Sequence, residues 1–315
     1  MSTTAFTATR SALAGTPEVL ASMAIIGLID NLVRGMAADL GLWQFHLLRG
    51  LVAVAVIVLV ARLAGRRLVP RAPAWVALRS ALVSLAMILY FSALGFMPVA
   101  AAAAGLFTAP IFVLLMQAMF MGHRVGVRRI AAVAVGFAGI LLVLRPDGAP
   151  WSLVLPVLAG AVYAACNLVT RHRCAAEGTE VLLIGSFGAL ALWGGAGCVL
   201  LAALGVVPPE GPEGFVLRGW MPLSAALLAF VAAQALAALV SVGLLTRAYQ
   251  IGDTPTIAVF EYSAMIFAAI WAWALRGEAP DGLAMIGIAL IIVSGATLAY
   301  RGRLRGAEPS RNLGA

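Results

Sequence analysis

Residues 93–124 read ALGFMPVAAAAAGLFTAPIFVLLMQAMFMGHR, and residues 248–279 read AYQIGDTPTIAVFEYSAMIFAAIWAWALRGEA. The two stretches align without a gap when Ala93 is placed on Ala248. Each contains a proline near a helix start, then an apolar run about one bilayer thick, then a glycine beside a polar residue. An internal repeat of this kind indicates that the chain consists of two related halves.

The composition is that of a membrane protein. Hydrophobic residues make up 63% of the chain, charged residues 11%, and the mean hydropathy is +1.03. Soluble domains average about half apolar and about a quarter charged residues. The net charge of +8 does not indicate a nucleic-acid partner, because no basic cluster carries the interleaved aromatic residues or motifs of nucleic-acid binding.

No motif supports enzyme chemistry. The chain contains no Gly-x-Ser-x-Gly, His-Glu-x-x-His or glycine-rich phosphate loop. The cysteines lie in or beside apolar runs without Cys-x-x-Cys spacing, which predicts small buried residues rather than a metal site or a disulfide framework (Cys166, Cys174, Cys198). We therefore expect neither a cofactor nor a metal, and we do not expect an enzyme.

The apolar runs predict an all-α, polytopic membrane protein with ten transmembrane helices. Helices are expected because backbone groups in lipid must be satisfied within the segment. The predicted spans are 19–38, 42–63, 75–96, 98–121, 127–145, 151–172, 180–205, 220–247, 255–275 and 282–300.

The ten spans divide into five and five around the linker RPDGAP. An odd number of spans in each half gives the halves opposite orientations, which is the inverted repeat of many secondary transporters. The predicted organisation is an N-terminal tail, two five-helix repeats and a C-terminal tail (1–18, 19–145, 151–300 and 301–315).

The arginines predict the orientation of the chain. With the N-terminus in the cytoplasm, sixteen arginines fall in inner segments and three in outer ones, namely Arg145, Arg218 and Arg276. Arg34 and Arg49 lie within spans. Because cytoplasmic loops are enriched in basic residues, both termini and the MGHRVGVRR loop are predicted to be cytoplasmic.

Three segments resemble the EamA-type ten-helix exporters of the drug/metabolite transporter superfamily. They are FHLLRGLVA at 45–53, Pro110 in the middle of the fourth span, and RGEAPDGLAMIGIALIIVSG at 276–295. The similarity covers nearly the whole chain, although His123 stands where the family has Glu, and Met265 where the second repeat would carry Pro.

The resemblance implies export of small organic solutes by alternating access across a bacterial inner membrane. The aromatic-amino-acid exporters look most similar, which implies amino acids, aromatic and other neutral ones among them, or related metabolites. One alternative is a multidrug or other metabolite exporter on the same scaffold. Another is a non-transporting membrane protein, and an enzyme of that kind would need paired catalytic groups at one depth.

Charged side chains inside spans need a reason, since each is costly in lipid. Asp30 and Arg34 are one turn apart on the first span, and His46 and Arg49 lie on the second. They are interpreted either as an ion pair that fixes the helix hairpin or as a substrate site in which Asp30 and Arg49 contact the solute. His46 is a candidate for proton coupling, because histidine titrates near neutral pH.

A second set of polar and aromatic residues is predicted nearer the bilayer centre. Inverted-repeat transporters bind their solutes there, and binding cavities combine aromatic walls with few polar groups. Helix packing is the alternative for each residue. The predicted cavity residues are Tyr90, Tyr163, Trp193, Gln234 and Tyr262.

Glu261 is the acid inside the spans of the second repeat. No basic residue lies one helical turn away, so an unpaired carboxylate is expected. Burial disfavours a charged carboxylate, which makes Glu261 a candidate to carry a proton. The alternative is a neutral Glu that is hydrogen-bonded to a neighbouring helix.

Overall fold

The structure is a computed structural model in which all regular elements of the described residues are helices. It describes residues 14–33, 40–93, 99–121, 125–145, 154–210 and 214–307. The helices are α1 (Thr16–Val33), α2 (Leu42–Leu63), α3 (Pro73–Ala93), α4 (Val99–Leu106), α5 (Ala109–Met121), α6 (Val127–Leu144), α7 (Val154–Arg173), α8 (Thr179–Leu204), α9 (Ala225–Ile251), α10 (Thr254–Phe260), α11 (Ser263–Arg276) and α12 (Gly282–Ala307).

The polytopic membrane architecture predicted from the sequence is confirmed. Within the described part of the chain, eight helical stretches are long and apolar enough to cross a membrane. The first and last helices contribute shorter apolar stretches, Thr16–Ile29 and Gly282–Thr297. The total of ten spans therefore stays a prediction, as do the boundaries of the two repeats.

The prediction of one continuous helix over 98–121 is wrong, because the chain turns between α4 and α5. Thr108 donates its hydroxyl to the Gly105 carbonyl at 2.6 Å, and its backbone N–H bonds the same carbonyl at 3.1 Å. Pro110 has no N–H to donate and cannot continue the α-helical ladder. The helix therefore tightens and restarts within an otherwise apolar run.

The span predicted over 255–275 is broken in the same way, between α10 and α11. Here the backbone N–H of Tyr262 bonds the Val259 carbonyl at 3.1 Å, and that of Met265 bonds the Tyr262 carbonyl at 3.1 Å. These bonds reach back three residues rather than four, which is a tighter turn than the α-helix. Met265 shows that this break does not need the proline of the first repeat.

The two breaks occupy equivalent positions in the repeat. When Ala93 is aligned with Ala248, Phe107 falls on Tyr262, and both lie in the turns between helices. Their rings also meet edge to face, with centroids 6.1 Å apart and planes at 75°. The centre of the molecule is therefore the place where the two broken spans meet.

Equivalent helices of the two halves pack antiparallel, as an inverted repeat requires. In the pair α6 and α12, the Ser294 hydroxyl donates to the Ala132 carbonyl at 2.7 Å near one end. Arg145 and Asp281 meet at the other end at 2.7 Å. The hydrogen bond from Arg145, with a smaller contribution from the backbone N–H of Ala284, lowers the pKa of Asp281.

The pair α2 and α8 is antiparallel as well. Near the start of α2, Trp43 packs on Gly197, where a Cβ would lie 2.1 Å from the indole ring. Towards the end of α2, Ile57 packs in a buried cluster with Leu183, near the start of α8. The glycines of α8 thus allow two helices to approach closely.

The largest buried apolar cluster reaches one side of the molecule. Val19 comes from the beginning of α1, Leu168 from the end of α7, Leu245 from the end of α9 and Ile257 from the beginning of α10. All four helix ends belong to the side that the arginine distribution predicts to be cytoplasmic.

Candidate substrate and coupling site

Glu261 lies in the turn between α10 and α11, and two tyrosines bind its carboxylate. Tyr163 of α7 donates its hydroxyl to Oε2 at 3.1 Å. Tyr249 of α9 donates to Oε1 in a short hydrogen bond. These contacts agree with the alternative of a Glu hydrogen-bonded to neighbouring helices, and the ion pairs of the described residues do not include Glu261.

The break in the helix explains why a carboxylate can be presented here. Asp253 caps the start of α10 by accepting from the backbone N–H and the hydroxyl of Thr256. Seven residues later the helix ends, and Glu261 occupies its C-terminal cap position. The side chain therefore leaves the helix where Tyr163 and Tyr249 converge.

Tyr262 follows Glu261 and is fully buried. Its ring packs on Phe107 and against the position of Gly136, where a Cβ would lie 2.6 Å from the ring. Its hydroxyl is buried without a hydrogen-bond partner among the residues that the structure describes. A carboxylate, three phenols and a phenyl ring are thus gathered at the meeting point of the two broken spans.

Chemically, this cluster suits a cationic or protonated group. A carboxylate with two phenol donors still has lone pairs for a proton or an ammonium group, and aromatic faces attract cations. No group of three or more His, Cys, Asp or Glu side chains that would hold a metal occurs in the described residues. The arrangement offers proton or solute binding at one acidic centre.

His46 and Arg49 lie in α2 among aromatic rings. His46 is fully buried between Phe45 and Phe91, with ring centroids at 5.4 Å and 5.0 Å. The guanidinium of Arg49 lies 5.5 Å from the centroids of Phe45 and Phe187. Both side chains are buried in α2, and Arg49 is 7% exposed.

The predicted pair of Asp30 with Arg49 falls partly outside the described residues. Asp30 belongs to α1, but its side chain is outside the described part, and Arg34 lies outside it entirely. The substrate and ion-pair interpretations of this pair both stay predictions.

The other predicted cavity residues are dispersed. Tyr90 stacks edge-on against Phe91 at 5.2 Å and packs beside Ala93. Gln234 is buried in α9, with its Oε1 lacking a partner among the described residues. Trp193 is 46% exposed and lines an open groove of about 600 Å³ between α3 and α8. The structure brings Tyr163, Tyr262 and Glu261 together, but not Trp193.

Two residues of interest were missed from the sequence. Tyr249 lies just beyond the predicted span 220–247, and only the packing of α9 against α10 shows that it binds Glu261. Arg79 was assigned to the inner charged segments, whereas it is buried within α3 and donates to oxygens of three other helices. The position of Arg79 inside an apolar run was the sequence feature that could have indicated a buried arginine.

A model of the EamA-like transporter family matches residues 13–145. The chain belongs to this family of membrane transporters. The resemblance seen in the sequence is confirmed.

Relatives with assigned names transport different metabolites. A riboflavin transporter of Rhizobium johnstonii is 31% identical over 216 residues, which are 68% of this chain and 66% of the relative. The pseudopaline exporter CntI of Pseudomonas aeruginosa is 27% identical over 88% of this chain and 92% of the relative. An S-adenosylmethionine uptake transporter of Rickettsia bellii is 22% identical over 68% of each chain.

A solved crystal structure shares the fold. It superposes with a TM-score of 0.69 over 90% of this chain and 97% of its own, at 22% identity. The arrangement of helices is therefore shared with an experimentally determined protein, while its substrate does not carry over at that identity.

Proposed function

We propose that this EamA-family transporter exports amino acids, aromatic and other neutral ones among them, or related small metabolites by alternating access. One observation carries the proposal: Glu261, at the break of a spanning helix, is bound by Tyr163 and Tyr249 beside Tyr262. Broken helices at equivalent repeat positions are typical of solute sites in secondary transporters. An ammonium group suits the carboxylate, and an apolar side chain suits the aromatic walls.

Proton coupling at Glu261 belongs to the same proposal. A carboxylate that accepts either a proton or the solute makes the two compete for one site, so protons from outside displace solute that has been carried outward. The two tyrosine hydroxyls stabilise the carboxylate of Glu261 after it loses its proton. His46 is a second candidate proton carrier, since it is fully buried and titratable.

The proposed location is a bacterial inner membrane with both termini in the cytoplasm. The bacterial sources of the named relatives support the location, and the arginine distribution supports the orientation.

Riboflavin is a second candidate solute. The relative from Rhizobium johnstonii that is named a riboflavin transporter supports it, as do the aromatic rings of Phe107 and Tyr262 at the centre. The names of the relatives include both an exporter and an uptake transporter, so the direction of transport belongs to the proposal as well.

The test is counterflow in proteoliposomes loaded with unlabelled solute. Labelled phenylalanine, tryptophan, leucine, riboflavin and a hydrophobic cation are offered in parallel, with empty liposomes as the control. We expect saturable exchange of the neutral amino acids. Exchange of riboflavin alone would favour riboflavin over amino acids as the solute. Exchange of the cation alone would contradict both candidates and favour multidrug transport.

A further inference from the structure

Arg79 is a buried cation in the seventh position of α3, only 3% exposed. Its Nε donates to the Thr170 hydroxyl at 3.3 Å, and its Nη2 to the Thr246 hydroxyl at 3.0 Å. Its Nη1 donates to the Leu182 carbonyl at 2.9 Å and to the Ser186 hydroxyl. The guanidinium is thus held by α7, α8 and α9 at once.

These partners satisfy its hydrogen bonds without neutralising its charge. All four oxygens are neutral. The three ion pairs found among the described residues involve Arg66, Arg129 and Arg145, and Arg79 is in none of them. A charge inside a membrane span is costly and marks a functional site by default.

A second buried donor lies on α7, one helical turn from the Thr170 that Arg79 binds. Asn167 is 4% exposed, and its Nδ2 is buried without a hydrogen-bond partner among the described residues. It stands three residues before Thr170 and four after Tyr163, so all three lie on one face of the helix. The face runs from the carboxylate of Glu261 at one end to the guanidinium of Arg79 at the other.

The chemistry of the Arg79 end is the opposite of that at Glu261. It offers a fixed positive charge, with the buried amide of Asn167 one turn along α7, and no described carboxylate lies within ion-pair distance of the guanidinium. A guanidinium fork matches the two oxygens of a carboxylate or phosphate. The missing complement is therefore an anionic acceptor.

We propose that Arg79, with Asn167, binds the anionic group of the transported solute. In the present structure Arg79 is 3% exposed, and the hydroxyls of Thr170, Ser186 and Thr246 occupy the guanidinium. When the helices around Arg79 separate during transport, the acidic group of a solute replaces these hydroxyls. The proposal rests on the transport function and adds a requirement for an anionic group to its substrate.

The spacing along α7 restricts how the solute uses both ends. Tyr163 and Thr170 are separated by about 10 Å at 1.5 Å per residue. A solute that reaches both ends together carries its acidic and basic groups about that far apart. An α-amino acid, whose charges are adjacent, contacts Arg79 first and Glu261 afterwards.

The experiment compares solutes that differ only in their anionic group. Counterflow is measured for L-phenylalanine against L-phenylalaninamide, and for riboflavin 5′-phosphate against riboflavin, which separates carboxylate from phosphate. The variants are Arg79→Gln, which removes the charge, and Arg79→Lys, which keeps it without the fork. Arg171→Gln is the matched control, because Arg171 lies on the same helix and donates to the Gln250 carbonyl.

We expect wild type and Arg171→Gln to favour an anionic member. Arg79→Gln should lower exchange of that member about tenfold or more, as for loss of one partner of a buried charged hydrogen bond. Its uncharged partner should stay within about twofold, and Arg79→Lys should be intermediate. An equal loss for both members of a pair, or a wild-type preference for the uncharged members, would overturn the proposal.

A second measurement judges the anion site even if none of these solutes exchanges. Melting temperatures of the purified protein are compared in benzoate, benzamide and inorganic phosphate. An anion that binds the folded protein should raise the melting temperature of wild type and Arg171→Gln by about 2–4 °C, but not that of Arg79→Gln. No anion-dependent rise in wild type contradicts the site, whereas a rise without any exchange contradicts only the choice of transported solutes.

Discussion

Two tyrosine hydroxyls converge on one carboxylate at Glu261, and the substitution Glu261→Gln tests what that carboxylate does. The amide keeps the size of the side chain, its oxygen accepts from one tyrosine hydroxyl and its NH2 group can donate to the other, but it cannot bind a proton at neutral pH. We expect exchange without a gradient to survive, proton-driven accumulation to be lost, and the pH dependence of transport to flatten. The measurement is uptake into proteoliposomes with and without an imposed pH gradient.

His46→Gln serves as the comparison, since His46 is the other proton-coupling candidate in a buried position. If accumulation and its pH profile are unchanged in Glu261→Gln, Glu261 is structural. If they change only in His46→Gln, coupling belongs to the histidine.

Tyr163→Phe removes one hydrogen bond to Glu261 and leaves the ring in place. We expect proton-driven accumulation to fall several-fold, while stability drops by about 1 kcal/mol, the usual net value of one hydrogen bond. Tyr90→Phe is the matched control, because Tyr90 packs on Phe91 and is not among the tyrosines that bind Glu261. A Tyr163→Phe variant that melts much lower but transports normally would make Tyr163 a packing residue.

Side chains of this site differ in how far the sequence reveals them. Glu261 and Tyr163 stand out because they interrupt apolar runs, and both belong to the cluster. Tyr249 and Arg79 could not be placed, because their partners lie on helices distant in sequence and depend on the packing angle. The exposure of Trp193 could not be predicted either, because the position of a residue along a span does not tell which side of the helix it lies on.

Among the helices, the close contact between the equivalent helices α6 and α12 depends on glycine. A Cβ on Gly139 of α6 would lie 2.6 Å from the Gly287 carbonyl oxygen, and one on Gly287 of α12 would lie 2.6 Å from that of Gly139. Both neighbours are backbone and cannot move aside alone. We expect Gly139→Ala to lower the free energy of unfolding by about 1–3 kcal/mol, as overpacking does, measured by thermal melting in detergent.

Gly188→Ala provides the control for that substitution. Gly188 lies within α8, and nothing is within 4 Å of the position of its Cβ. Alanine has the higher helix propensity, by up to about 1 kcal/mol, so the variant should be at least as stable as wild type. Equal melting of the two variants would show that the crossing of α6 and α12 tolerates separation.

Helix positions were predicted closely, and helix continuity was not. The predicted spans 42–63 and 127–145 agree with α2 and α6. The breaks after α4 and α10 were missed because hydropathy does not change there. They depend on single backbone bonds and on Thr108 and Pro110, whose effect on a helix varies with its surroundings.

On the scale of the whole molecule, the antiparallel repeats make a prediction about membrane sides. Gly126 precedes α6, Gly282 begins α12, and both are exposed with no atom within 4 Å of a Cβ. Because α6 and α12 are antiparallel, cysteines at these two positions should label from opposite sides with an impermeant thiol reagent. The arginine distribution predicts that Gly126→Cys labels from the cytoplasm.

The native cysteines are buried and give little background (Cys166, Cys174, Cys198). Labelling is compared in intact cells and in inverted vesicles, with wild type as the blank. Labelling of both engineered cysteines from outside would contradict the inverted arrangement, and labelling of Gly126→Cys from outside alone would reverse the orientation.

The membrane class and the family could be read from the sequence, because composition and the long internal repeat are properties of the chain itself. The identity of the solute could not be read from the sequence. Its recognition depends on a few side chains gathered from separate helices, and relatives with one fold carry the names of different metabolites.

The two equivalent breaks differ in one residue that bears on the proposed proton coupling. Where the second repeat has Glu261, the first has Leu106, so coupling through Glu261, as proposed, would use one proton in each cycle. Exchanging one proton for one uncharged solute at a membrane potential of 100 mV supplies about 2.3 kcal/mol, enough for a concentration ratio of roughly 50-fold. Each unit of pH difference multiplies that ceiling by about ten.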